Sequence, residues 1–388
     1  MLTLALPLLG LGFGLVLALQ PTRDAEKPAP EQQKPGAYTL HPEHAYAPPT
    51  PESPAFKVVT LDLTLRDEAR GKDLEVRIRA PKPAAGAPDA LESGSPLIIF
   101  SHGAGGAMDA FPELSTHWAS RGYVVVHPTH SDSISLRRKK GEDLSGLREN
   151  PQRLLMDVNG PDRLADCSFI IDSIDEIESQ LCAAGVSRNP PPEENLPVPC
   201  ALADWPIIDR DRIGMAGHSA GAYTTQIAFG AKVRGARWGS LRLKSHADPR
   251  IDAAILVSGQ GTTNRSLTKD SWSGITGPMM VYAGSLDVSR ISDETPESRR
   301  EPFEYAPAGD KYLVYIDGAT HGSYQGKGLA TMLREKPTTD VAVITGAVSS
   351  GTTAFFDCYL RELEAAREYL ESDALVELTA GAVEYKRK

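Results

Sequence analysis

The sequence predicts an α/β fold: a mostly parallel sheet with helices on both faces and an antiparallel N-terminal edge. Three observations predict it. Short apolar runs, "PLIIFSHG" (96–103), "IDAAILVSG" (251–259) and "PMMVYAG" (278–284), lack polar alternation, as strands covered on both faces do. Helical patterns recur between such runs, the order expected of parallel strands joined by crossovers. Two alternating segments, "FKVVTLDLTLRD" and "KDLEVRIRAPK", flank a turn at Gly71 and read as an antiparallel pair.

The remaining elements follow in order. "PELSTHWASRGY" (112–123) has helical spacing and stops near Gly122, and "YVVVHPTH" (123–130) is the next strand. "RLADCSFIIDSIDEIESQL" (163–181) reads as one helix. "RIGMAG" (212–217) is a strand and "AGAYTTQIAFGAKV" (220–233) a helix. "KYLVYIDG" (311–318) is the last core strand, and a long helical region, roughly 340–371, closes the chain. Residues 56–388 are thus expected to form one α/β domain, with an insertion around 131–160. Within it "LRRKKGEDLSGLREN" (136–150) reads as a solvated cover. Residues 20–55, rich in Pro, Glu, Gln and Ala, read as a linker in which His41 and His44 are solvated.

Residues 1–19, "MLTLALPLLGLGFGLVLAL", carry no charged side chain and precede a polar stretch. They read as the apolar part of a signal peptide, or as an uncleaved membrane anchor, so the protein is expected to be exported, periplasmic or secreted. No Lys or Arg precedes the run and no A-x-A site stands out. The oligomeric state is not legible. Of 388 residues, 41% are hydrophobic and 24% charged, the balance of an ordinary globular core. The net charge of −10 argues against nucleic acid as a partner, because phosphate binding needs a basic surface. The four cysteines form no C-x-x-C. Cys182 and Cys200 bracket a proline-rich stretch and are disulfide candidates in an exported protein. Cys167 and Cys358, within helical patterns, read as small buried side chains.

The chemistry centres on "GHSAG" (217–221), which lies between a strand and a helix. It fits the G-x-S-x-G turn that lifts a serine hydroxyl clear of a parallel sheet, with Gly217 and Gly221 where a β-carbon would clash. A glycine-rich turn with a helix-capping serine is the plainer alternative. A nucleophilic Ser219 needs a base, an acid to orient the base, and donors for the oxyanion. Two histidines lie downstream. His246 precedes a strand, the wrong end of the sheet, whereas His321, in "ATHGSY", follows the last core strand and is the expected base. The expected acid is Asp287, after the strand in "VYAGSLDVSR". Asp317, four residues before His321, reads as a turn residue. The loop "SHGAGGAM" offers backbone donors. Ala104 is expected to act with Ala220, the residue after the serine, and Gly105 is the alternative to Ala104.

With these pieces placed, residues 56–370 resemble the α/β-hydrolases. They are most similar to the branch holding platelet-activating-factor acetylhydrolases, dienelactone-hydrolase-like proteins, chlorophyllases and cutinase-like polyesterases. The carrying segments are "PLIIFSHGAGG", "GYVVVHPTHSDS", "RLADCSFIIDSI", "DRIGMAGHSAGA", "MMVYAGSLD" and "ATHGSY". Arg163 and Asp166 resemble the R-x-x-D of that branch's helix before the serine turn. The resemblance implies Ser219 as nucleophile, Asp287 and His321 as its partners, and the Ala104 and Ala220 amides as oxyanion donors. It differs from dienelactone hydrolases proper in having serine rather than cysteine, and from the polyesterases in having His218 and Ala220 beside the serine.

Three weaker signals remain. His127 and His130, in "HPTHSD", read as lining the mouth of the pocket, with metal ligation as the alternative. Trp272 reads as a pocket wall or as core. The insertion could serve as a lid for an anionic lipid or polymer. Taken together, a serine hydrolase acting on a small-molecule, lipid or polymer ester is expected, with no metal or organic cofactor. A peptidase or acyltransferase on the same fold, or a non-catalytic binding protein, are the alternatives.

Overall fold

The computed structural model describes residues 38–47, 56–82, 94–147, 149–186, 207–235, 242–289 and 291–388. The expectations for residues 1–19 and for Cys200 lie outside these residues, as does most of the predicted linker.

The predicted edge is present: β1 (Lys57–Asp67) and β2 (Lys72–Lys82) pair antiparallel, and Gly71 at φ 61° makes the turn between them. The remaining strands are β3 (Ser95–Ser101), β4 (Val124–Pro128), β5 (Ile208–His218), β6 (Val233–Arg234), β7 (Leu243–Lys244), β8 (Ala253–Val257), β9 (Met279–Leu286), β10 (Lys311–Thr320) and β11 (Val383–Arg387). One sheet runs in the order β1-β2-β4-β3-β5-β8-β9-β10-β11, and β6 and β7 form a separate ribbon. From β4 to β10 its strands are parallel, and β2 and β11 are antiparallel to their neighbours. Every residue of β3, β4 and β8 is buried, which is why these segments read as unbroken apolar runs.

The helices are α1 (Pro112–Ser120), α2 (Ile134–Lys139), α3 (Arg153–Met156), α4 (Gly160–Asp172), α5 (Ile174–Ala183), α6 (Ala220–Ala228), α7 (Glu301–Tyr305), α8 (Lys327–Met332), α9 (Val341–Leu360), α10 (Glu364–Glu371) and α11 (Ala374–Leu378). Against one face of the sheet α1, α9, α10 and α11 bury Trp118, Phe355, Phe356 and Leu370 with Ile98, Phe100 and Val125. Against the other, α4, α5 and α6 bury Ile170, Ile177 and Ala228 with Leu97, Ile99, Val126 and Met215. Among the described residues α9 is the one helix long and apolar enough to cross a membrane (mean hydropathy 1.3). Because 72% of it is buried inside the protein, it is a core helix.

Three expectations change. The helix predicted over 163–181 is two, α4 and α5, broken at Ser173. The Ser173 hydroxyl donates to the Phe169 carbonyl one turn back, competing with the backbone ladder. The final helical region is followed by β11, which pairs with β10 and was not foreseen. Part of the predicted linker is packed: the Tyr46 side chain is buried and its hydroxyl donates to Asp357, while the His41 amide donates to the Leu378 carbonyl.

Candidate active site

The turn after β5 is strained. Ser219 has φ 56° and ψ −120°, a backbone conformation that non-glycine residues rarely adopt. The flanking glycines explain how it is held. A β-carbon on Gly217 would lie 2.4 Å from the Gly221 carbonyl, and one on Gly221 would lie 1.8 Å from the Ser101 carbonyl oxygen at the end of β3. Only glycine lets β3, β5 and α6 meet so closely, and that approach places Ser219 at the carboxyl edge of the sheet.

His321, just past β10, brings Nε2 to 3.1 Å from Ser219 Oγ. Its Nδ1 lies 3.0 Å from Oδ1 of Asp287, which follows β9. The carboxylate can only accept, so Nδ1 carries the hydrogen and Nε2 presents its lone pair to the serine hydroxyl. Ser219 and His321 each keep a small exposed surface, 7% and 8%, whereas Asp287 is fully buried. Burial alone pushes the Asp287 carboxyl upward. The adjacent Arg299 charge and the bonds from His321 and Ser258 outweigh it and hold the group at about 2.

The rival acid is elsewhere. Asp317 accepts from Ser285 and Tyr38 and has no contact with His321 among the described residues. His246 is exposed, before β8. His218 stands behind His321 with ring centroids 4.7 Å apart, and its Nε2–H donates to the His321 carbonyl at 2.8 Å. Burial, and then the neighbouring imidazole, push His218 down to about 3, so it stays neutral and buttresses the loop.

The loop after β3 lies against the serine: a β-carbon on Gly103 would be 3.5 Å from Ser219 Cβ. Its carbonyls point inward to the buried Arg163 guanidinium, which donates to the His102 and Gly103 oxygens at 2.7 and 3.2 Å and is paired with Asp132. Asp132 in turn accepts the Gly105 amide at 3.0 Å, so Gly105 is already committed. Among the described residues neither the Ala104 nor the Ala220 amide has an acceptor. Ile134 and Leu154 of the insertion pack on Gly105, each within 3.0 Å of where its β-carbon would be, so the insertion braces this loop.

His127 and His130 do not line a pocket mouth. Both are fully buried. His127 stacks on Phe100 and donates Nε2–H to Ser115, whose own hydroxyl hydrogen goes to the Phe111 carbonyl. His130 bridges Ser101 and Asp166 at 2.9 Å each, and Asp166 also takes Arg70 and Lys72. Among the described residues no group of three or more His, Cys, Asp or Glu side chains is placed to hold a metal. Trp272 is core, its indole N–H donating to Gln226 at 2.7 Å.

Sequence reasoning missed Ser258, Arg299 and Tyr324. All three bond Asp287. Ser258 had a signal, since it ends an apolar strand at the edge where ligands bind. Arg299 had none: "ETPESRRE" looks like any solvated charged turn.

Residues 78–156 match the family of platelet-activating factor acetylhydrolase, isoform II, a span running from β2 through the loop after β3 to the insertion. The strand order, the strained serine turn after β5 and this match decide the architecture. The fold is that of the α/β-hydrolases. The matched family is one of hydrolases. Among solved structures, the chain is similar to a Klebsiella pneumoniae protein provisionally assigned as a dienelactone hydrolase. The identity is 17%, over 78% of this chain and 100% of that one, with a TM-score of 0.48. No curated protein matches the chain in sequence at a significant level.

Proposed function

We propose that the protein is a serine hydrolase that cleaves carboxylic esters through an acyl-enzyme. The observation that carries this reading is the unbroken path from Ser219 Oγ to His321 Nε2 (3.1 Å) and from His321 Nδ1 to Asp287 (3.0 Å). His321 takes the Ser219 proton as Oγ attacks the ester carbonyl, and the carbonyl electron pair moves onto oxygen. The Ala104 and Ala220 amides receive that oxyanion, and Arg163 holds the loop so that the Ala104 amide is turned outward. The intermediate collapses, the C–O bond to the alcohol breaks, and the alcohol leaves with the proton from His321. Water, deprotonated by the same imidazole, then attacks the acyl-enzyme, and collapse releases the acid and returns the proton to Ser219. Asp287 keeps the imidazole tautomer and steadies the imidazolium at each step.

A fluorophosphonate probe tests the reading. It is expected to label the wild-type protein and not Ser219→Ala, and p-nitrophenyl esters are expected to turn over faster than aminoacyl anilides. Labelling that survives Ser219→Ala overturns the nucleophile, and faster anilide cleavage overturns the ester assignment in favour of a peptidase. The substrate is read as a small-molecule, lipid or polymer ester. We also read residues 1–19 as an export signal or membrane anchor, on their uncharged apolar composition. Recovery of the full-length chain in the cytoplasm on cell fractionation overturns that.

A further inference from the structure

Asp287 is bonded by more groups than a nucleophile–base–acid set requires. Its Oδ1 accepts from His321 Nδ1 at 3.0 Å and Ser258 Oγ at 2.9 Å and lies 2.8 Å from Arg299 Nε, an ion pair whose N–H donates to the Asp287 backbone carbonyl at 2.9 Å. Its Oδ2 accepts from Tyr324 at 3.0 Å. Arg299 and Ser258 are themselves fully buried.

The two are linked. Ser258 has φ 54°, a left-handed conformation that costs a non-glycine residue energy unless its surroundings impose it. Arg299 Nη1 bridges this turn, donating to the Ser258 and Gly259 carbonyls at 2.8 and 3.0 Å. That backbone sends the Ser258 hydroxyl between acid and base. Its hydrogen goes to Asp287, and its oxygen, 2.7 Å from His321 Nδ1, shares the imidazole hydrogen. A buried guanidinium is costly unless paired, and Arg299 Nη2 has no acceptor among the described residues, so the cation is held here by its contacts with Asp287 and the Ser258 turn.

We propose that Arg299 and Ser258 are positioning residues of this site: Arg299 keeps the buried Asp287 ionised and fixes the Ser258 turn, and the Ser258 hydroxyl bridges Asp287 to His321. The proposal rests on the reading of Ser219, His321 and Asp287 given above. The titratable and charged groups facing Asp287 are Arg299 before α7, His321 and Tyr324 after β10, and His218 at the end of β5 behind the base. Arg299 is the one full positive charge among them when the imidazoles are neutral. Without it, burial favours the protonated carboxyl, which cannot accept the Nδ1 hydrogen in the same way.

The test compares Ser258→Ala, Ser258→Gly, Arg299→Gln and Arg299→Lys with wild type in the full chain. It follows p-nitrophenyl butyrate hydrolysis and the rate of fluorophosphonate labelling across pH. Ser258→Ala and Ser258→Gly are both expected to lose about tenfold in kcat with KM little changed, because both delete the hydroxyl. Glycine relieves the backbone strain, so full kcat in Ser258→Gly overturns the bridge and leaves Ser258 a backbone role only. Arg299→Gln is expected to move the acidic limb of kcat/KM to higher pH by about one unit or more, with Arg299→Lys restoring part of the shift. An unmoved limb in Arg299→Gln overturns the clamp. If Arg299→Gln does not fold, the serine variants decide. A wild-type protein that takes no fluorophosphonate at Ser219 overturns the underlying reading instead.

Discussion

Gly221 stands so close to Ser101 that a single methyl group on it would sit 1.8 Å from the Ser101 carbonyl oxygen. That contact joins the helix after Ser219 to the strand before the loop at 102–106, so the serine turn and that loop share one close-packed junction. Gly221→Ala must push backbone from backbone. It is expected to cost about 4 kcal/mol or more and to lower expression of folded protein. Gly328→Ala, in α8 with open space around it, is the control and is expected to be neutral or stabilising by up to about 1 kcal/mol. Thermal unfolding of the two variants checks both.

Replacing Asp287 by Asn keeps the shape and removes the charge. The amide can offer a hydrogen where Nδ1–H needs an acceptor, which favours the wrong imidazole tautomer. We expect kcat to fall by about 10³–10⁴-fold, with Asp317→Asn nearly unaffected. Steady-state kinetics of the two variants separates the acid from its rival, and an Asp317→Asn loss as large as that of Asp287→Asn would reverse the assignment.

Arg163 is fully buried against Asp132 and holds the carbonyls of the loop bearing Ala104. Arg163→Met leaves Asp132 unpaired and frees the loop. The expected stability loss is about 3–5 kcal/mol. In whatever folded fraction remains, kcat is expected to drop by about 10²-fold, the usual effect of a displaced oxyanion donor. Denaturant unfolding and active-site titration of the soluble fraction measure these separately.

The buried titratable groups set a two-step acid response. Burial lowers His102, His127, His130 and His218 from the ordinary histidine value, His218 to about 3. Below about pH 6.5 the unfolded chain takes up protons that the folded chain refuses. Stability contributed by these neutral rings is therefore complete above that pH and declines as pH falls toward their folded values. Asp287, depressed to about 2, adds stability above about pH 4 that is lost between there and 2. Asp132 and Asp166 act in the same direction. The unfolding temperature is expected to fall already between pH 6.5 and 4, and more steeply below 4, where the carboxylates add to the histidines. A flat profile down to pH 4 contradicts the neutral-ring account.

Local patterning made much of this protein legible. The apolar runs of β3, β8 and β9 are unbroken because both faces of those strands are buried. The glycine spacing of 217–221 is a steric demand of the turn itself, so Ser219 could be found from sequence, and chain order after strands pointed to Asp287 and His321. Where sequence reasoning stopped, the deciding contacts join distant segments. His127 and His130 have the polar look of site residues, yet Phe100, Ser115, Ser101 and Asp166 close over them. Ser258 and Arg299 meet Asp287 only because the ends of β8 and β9 and the turn before α7 converge at one sheet edge. A hydrophobic period records which face of an element is buried. It carries no record of which polar side chains from other elements will satisfy one another there, since those bonds depend on positions that exist only once the sheet has closed its order.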